Sequence, residues 1–201
     1  EDCGLLGGRA AAAGGYGTRA VVLVYLVVGT ALMATYVWGV LALNARDPEG
    51  VGAMRLWGPL YTEPGNRWLL HVYYGSILAA TVGFFPSLGY ALKAAPRLTR
   101  EKVNLLCGLF LGFYVTELFW MPLCVAYVRA PSSLIYWAIR LQLAASGLFA
   151  LGWAYVKIFA MPPDAAGAAG PALRACGILG TAIFALHCAV LDGIIWPPYF
   201  K

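Results

Sequence analysis

The chain has 201 residues, of which 61% are hydrophobic and only 11% charged, and it carries a formal charge of +5. A soluble domain has about 25% charged residues, and a globule this small cannot hide so much apolar surface from water. An ordinary soluble domain is therefore excluded, and without a basic run interleaved with aromatics nucleic acid is not an expected partner.

The composition predicts an all-α, polytopic membrane helical bundle with about five transmembrane helices. Seven Trp and twelve Tyr fit that class, since both rings favour the membrane–water boundary. The length allows one transmembrane domain, 20–201, behind a Gly/Ala-rich segment, 1–19, expected to be flexible. Within that segment Gly7 to Ala20 carries Arg9 and Arg19, which reads as a flexible tail or the remnant of an organellar transit region.

The first helix is expected at 20–43, uncharged throughout and long enough for about 30 Å of hydrocarbon. A loop from Asn44 to Arg67 follows. Its Pro48, Gly50, Gly52, Pro59, Pro64 and Gly65 forbid a long regular helix, and Trp57 and Tyr61 place it at the interface. The second helix is expected at 68–92, kinked or ended early by Pro86. The third, 103–128, contains Pro122 as a second kink. Pro131-Ser132-Ser133 makes a tight turn, with Ser132 or Ser133 as the N-cap of the fourth helix, 132–159. A Pro/Gly/Ala linker from Met161 to Pro171 leads to the fifth helix, 172–195, which stops at Trp196-Pro197-Pro198.

Loop cations set the orientation. With the N-terminus inside, the inner segments hold Arg9, Arg19, Lys93, Arg97, Arg100, Lys102, Lys157 and Arg174; the outer ones hold Arg46, Arg55, Arg67, Arg129 and Lys201. Eight against five favours an N-terminus inside and a C-terminus outside. An integral membrane location is expected, with an organelle inner membrane, mitochondrial or plastid, as the finer reading.

Ionisable groups inside a membrane cost on the order of 3 kcal/mol each, so each needs a partner or a purpose. Glu117, Arg140 and Asp192 are the candidates. Counting from Pro131, Glu117 lies 14 residues back and Arg140 lies 9 forward. Their depths then differ by roughly 7 Å, within reach of an Arg side chain, so an ion pair between helices three and four is expected. Tyr136, one turn from Arg140, is placed to stack on it or hydrogen-bond nearby. Asp192 lies one turn from the end of helix five, at interfacial depth. Glu117 and Asp192 each precede a Trp by about a turn, with Pro following closely (Trp120 and Pro122; Trp196 and Pro197). Helices three and five run in the same direction, so both features point to one membrane face.

His71 and His187 are the only histidines. Each is a possible tetrapyrrole ligand, to chlorophyll magnesium or haem iron. One shared haem is disfavoured by an offset of roughly 8 Å in depth. No cluster suggests a metal site such as zinc. The cysteines Cys107, Cys124, Cys176 and Cys188 fall on helices without any CxxC, which suits buried thiols rather than a disulfide framework. Gly108 and Gly112 form a GxxxG that admits a close helix neighbour; Gly147, Gly152, Gly177 and Gly180 are further candidates.

The chain contains no P-loop, GxGxxG, HExxH or GxSxG element, and no catalytic residue is singled out. Three classes of function fit. The leading one is a non-catalytic subunit of a larger respiratory or photosynthetic membrane complex, holding lipids or pigments and packing against other membrane subunits. Its sequence support is the polar and small residues on several faces of helix three: Asn104, Gly108, Gly112, Thr116 and Glu117. The second is a small transporter or proton-handling carrier using Glu117, Arg140 and Asp192. The third is a lipid-modifying membrane enzyme with His187, Glu117 or Asp192 as acid or base, for which a carboxylate and a histidine should converge in one lipid-open cavity.

Overall fold

A computed structural model describes residues 16–45, 50–162 and 170–200. The described residues contain helices and no strand. Five helices are long and apolar enough to cross a membrane: α1 Tyr16–Asn44, α2 Pro64–Arg97, α3 Arg100–Arg129, α4 Ser133–Ala160 and α5 Gly170–Ile195. The fold is an all-α bundle of the expected kind, and the chain is an integral membrane protein by the length and composition of those helices. Of the segment expected to be flexible, 16–19 belongs to α1 and 1–15 lies outside the described residues, as does Cys3.

Local chemistry explains several helix ends. Ser132 is the N-cap of α4, its hydroxyl accepting from the Ile135 N–H at 3.2 Å. Thr99 caps α3 in the same way, with Glu101 in the first turn where a carboxylate favours the helix dipole. Pro122 cannot donate to the Leu118 carbonyl, and the regular α-helix is interrupted at Phe119, between segments Arg100–Leu118 and Trp120–Arg129. Pro86 does not end the helix, which continues through it to Ala94, along the stretch against which α5 packs.

Helix α5 lies between α2 and α4; α4 packs on α3, and α3 packs on α1. Lipid offers apolar side chains the same surroundings as a protein core, so close van der Waals fit holds such helices together. Accordingly Leu23, Leu26, Val27, Leu78, Phe85, Leu141, Leu148 and Leu179 all point outward. At the closest approaches the neighbours are glycines. A Cβ on Gly83 of α2 would lie 2.8 Å from the Gly180 Cα of α5, and one on Gly147 of α4 would lie 2.9 Å from the Ala189 Cα. Gly177 faces Tyr90 and Gly152 faces Leu109. The predicted GxxxG divides: Gly112 abuts the Phe149 ring, whereas Gly108 faces open space.

The interior forms two layers. Toward the face where α1 begins (the N-terminal face), Tyr25, Phe110, Phe113, Tyr114 and Trp153 build an aromatic layer. Toward the opposite, C-terminal face, Leu69, Leu70, Met121, Val125, Ile139 and Leu143 pack with Trp196 and Phe200. The α1–α2 loop closes that second layer. It folds as a 3₁₀ turn, Gly52–Trp57, and a single helical turn, Pro59–Thr62, and buries Leu56 and Leu60. The Trp196 indole N–H donates to the Leu56 carbonyl at 3.0 Å.

Candidate functional site

Glu117 sits on the buried stripe of α3, with Phe110, Phe113 and Tyr114 before it and Met121 and Cys124 after it. That spacing of three and four residues follows one face of a helix. The carboxylate is 7% exposed, so it needs partners, and α1 and α4 supply them. The Tyr36 hydroxyl donates to Oε2 at 3.0 Å and Gln142 Nε2 donates to Oε1 at 3.3 Å. Ser146, one turn beyond Gln142, lies beside the same carboxylate.

The other half of the site is on α5. From His187 to Ile195 the helix is wound as a π-helix, with the Trp196 N–H bonded to the Leu191 carbonyl at 2.8 Å. In an α-helix, side chains five residues apart point about 140° away from each other. The wider turn brings positions i and i+5 to one side. His187 Nε2 and Asp192 Oδ2 thereby meet at 3.4 Å. Helix α2 completes the arrangement: Ser76 Oγ lies 3.0 Å from His187 Nδ1, and the Tyr73 hydroxyl donates to the Leu191 carbonyl. Nε2 thus faces the Asp192 carboxylate and Nδ1 faces the Ser76 hydroxyl, which can donate to it or accept from it.

The halves adjoin. Asp192 is within electrostatic reach of Glu117, and Cys188 of α5 is within reach of both. The Trp120 and Trp196 rings, which follow the two acids in sequence, stand 5.9 Å apart, and Tyr36 packs on Trp120 at 5.3 Å. The two acid–Trp–Pro stretches thus face each other at one depth. All five helices contribute a polar group.

Arg140 is not in the cluster. Its Nη1 donates to the Tyr136 hydroxyl at 3.1 Å, and the guanidinium lies over the Trp137 ring at 5.2 Å. Gln142 is the α4 residue that reaches Glu117. Arg140 precedes it by two residues, which turns it about 200° around the helix. Depth alone suggested an ion pair, and azimuth forbids it. Among the described residues, the carboxylate–base contact found is His187–Asp192.

The histidines do not converge. Tyr73 faces inward at 1% exposure, and His71, two residues earlier, faces outward. His187 has Ser76 at one ring nitrogen and Asp192 at the other, so protein groups occupy both positions from which it could bind an iron or magnesium. The residues therefore do not fit a haem shared by these two histidines, or a pigment on His187. Among the described residues, no three His, Cys, Asp or Glu side chains group as metal ligands. Cys107, Cys124 and Cys188 are buried free thiols, while Cys176 is exposed.

Lys157 escaped the sequence reading, where it counted among the loop cations. It is fully buried on α4, its Nζ bonded to the Ser87 carbonyl at 2.8 Å and the Ser87 hydroxyl at 2.6 Å. Its place one turn before Met161 resembles that of a cation reaching out of a helix end. Ser87 and Thr181, small polar residues in apolar runs of α2 and α5, were the available signal.

No family model matches the chain, and no curated protein or solved structure shows significant similarity to it.

Proposed function

We propose that the protein is a membrane carrier that handles protons, with Glu117 as the central acceptor and the His187–Asp192 pair beside it. The observation that carries this reading is the gathering of two carboxylates and a histidine from α3 and α5, with hydrogen-bond partners from α1, α2 and α4, inside the bundle. Groups that exchange protons are costly inside a membrane, and where they occur together they mark ion or proton paths. Carboxylate, imidazole and hydroxyl groups gathered in one region provide the donors and acceptors that such a path needs. Asp192 is 33% exposed on its side chain, and Glu117 is buried, which gives the cluster a more open end and a closed one.

The residues behind the complex-subunit reading are largely engaged within the chain. Gly112 meets Phe149, Thr116 bonds to the Gly112 and Phe113 carbonyls, and Glu117 faces the bundle interior. The N-terminal face, carrying Arg19, Lys93, Arg97, Arg100, Lys102 and Arg174, is the side we place inward.

The test is proton flux into proteoliposomes containing a pH-sensitive dye, driven by a potassium diffusion potential. The wild-type protein is expected to exceed protein-free vesicles, and Glu117→Gln to fall to their level while keeping its elution volume in detergent. Background flux in the wild type, or undiminished flux in Glu117→Gln, overturns the reading. Background flux together with co-migration in a large native assembly points to the subunit role instead.

A further inference from the structure

Between the Glu117 cluster and the N-terminal face the interior is closed by stacked rings. Tyr25 lies on Phe110 at 4.2 Å, Phe110 on Trp153 at 4.6 Å, and Phe184 edge-on to Trp153 at 5.8 Å. The layer is not wholly apolar. The Tyr25 hydroxyl and the Trp153 indole nitrogen adjoin there, buried and without a completed hydrogen bond. A buried polar group left unpaired is costly, and water entering the layer would give both groups a partner.

On the far side of the rings lies a second polar network. Thr181 donates to the Gly177 carbonyl at 2.7 Å, so its oxygen accepts from Ser87 at 2.6 Å, and Ser87 in turn accepts from Lys157 Nζ at 2.6 Å. The donors run in one direction from Lys157 through Ser87 to Thr181. The amine also faces the Trp153 ring at 3.8 Å, so it touches the aromatic layer itself. The order repeats on each helix: Gln142, Trp153, Lys157 on α4; Ser76, Phe84, Ser87 on α2; Asp192, Phe184, Thr181 on α5. Tyr25, Lys157 and the His187–Asp192 pair each lie in a π-helical segment. Such segments are rare and concentrate at functional positions.

We infer that Lys157, with Ser87 and Thr181, is a second proton station of the same pathway, separated from Glu117 by a hydratable aromatic gate at Tyr25 and Trp153. This rests on the proton-handling reading. The step balances without any co-reactant: the ammonium of Lys157 releases one proton to water at the N-terminal face, and the amine lone pair then takes the proton that leaves the Glu117 carboxyl through water in the opened layer. The groups in contact with the Lys157 amine are Ser87 of α2 and Trp153 of its own helix, with Thr181 of α5 behind Ser87. Lys102 of α3 lies at the end of the same turn, its amine donating to the Ala160 carbonyl at 2.8 Å. Among the described residues no carboxylate pairs with Lys157.

The deciding experiment compares Lys157→Arg, Lys157→Met and Ser87→Ala in the same proteoliposomes, alongside the infrared carboxyl bands of Glu117 and Asp192 as bulk pH is changed. An arginine keeps the charge but does not release its proton at ordinary pH. The expected result is flux at background in Lys157→Arg, with carboxyl titration as in the wild type. Ser87→Ala keeps Lys157 and should slow flux severalfold, and it decides the matter if both Lys157 variants fail to fold. Wild-type flux in Lys157→Arg or Ser87→Ala, with flux still lost in Glu117→Gln, overturns the second station and leaves the proposed function standing. Absence of flux in the wild type sinks both.

Discussion

Gly83 and Gly180 bring α2 and α5 into backbone contact, so that a Cβ built on Gly180 would overlap the Gly83 carbonyl oxygen. Backbone cannot yield as a side-chain tip can, and relief requires the two helices to separate. Overpacking of this kind costs about 1–3 kcal/mol. Gly180→Ala is expected to lower the thermal unfolding midpoint in detergent. Gly108→Ala meets nothing within 4 Å and should be neutral or gain up to about 1 kcal/mol from helix propensity. Equal losses in both variants would contradict this packing.

Tyr36 and Gln142 donate to different oxygens of one carboxylate. Hydrogen bonds between membrane helices are worth about 0.6 kcal/mol on average and up to about 2. Tyr36→Phe and Gln142→Leu should each destabilise by such an amount. Because they share Glu117, the double variant should depart from additivity by about 0.5 kcal/mol or more. Reversible unfolding in mixed micelles gives the four values of the cycle, and strict additivity would argue against the shared acceptor.

Arg140 takes Tyr136 and Trp137 as partners, and Glu117 takes Tyr36 and Gln142. With no partner in common, Arg140→Gln and Glu117→Gln should combine additively to within about 0.5 kcal/mol. The same unfolding assay applies. A coupling well beyond that would restore the direct ion pair.

Trp196→Phe keeps the stacking on Phe200, whose ring centroid lies 4.4 Å away, and removes the N–H that serves the Leu56 carbonyl. A buried acceptor left unpaired costs about 1–3 kcal/mol. The expected outcome is faster proteolytic cutting within 50–62 than in the wild type. An unchanged cutting pattern would mean that this hydrogen bond does not hold the loop down.

Much of the scaffold was legible because its signals are local. Apolar runs long enough for a bilayer give the five helices, Ser132 before an apolar run gives a cap, and Pro122 removes one hydrogen-bond donor wherever the helix goes. Gly147, Gly152, Gly177 and Gly180 were recognisable as contact points, since small residues are how membrane helices approach. Gly108 was not separable from Gly112, because their spacing places both on one helix without saying which has a neighbour. Pro86 left a kink and an early end both open for a related reason: a local penalty does not say whether a neighbour such as α5 packs along the same stretch and lets the helix run on.

The sequence by itself determined the class of molecule, the helix count and the small set of polar residues confined to apolar surroundings. All of that follows from transfer free energy and chain length. Only the tertiary structure decided which polar residues meet. Azimuth around each helix turns Arg140 and His71 away from the interior and Gln142 and Tyr73 toward it. A π-helical turn, invisible in composition, carries His187 round to Asp192. Lys157 became a buried group because Ser87 and Thr181, on two other helices, stand where its amine ends.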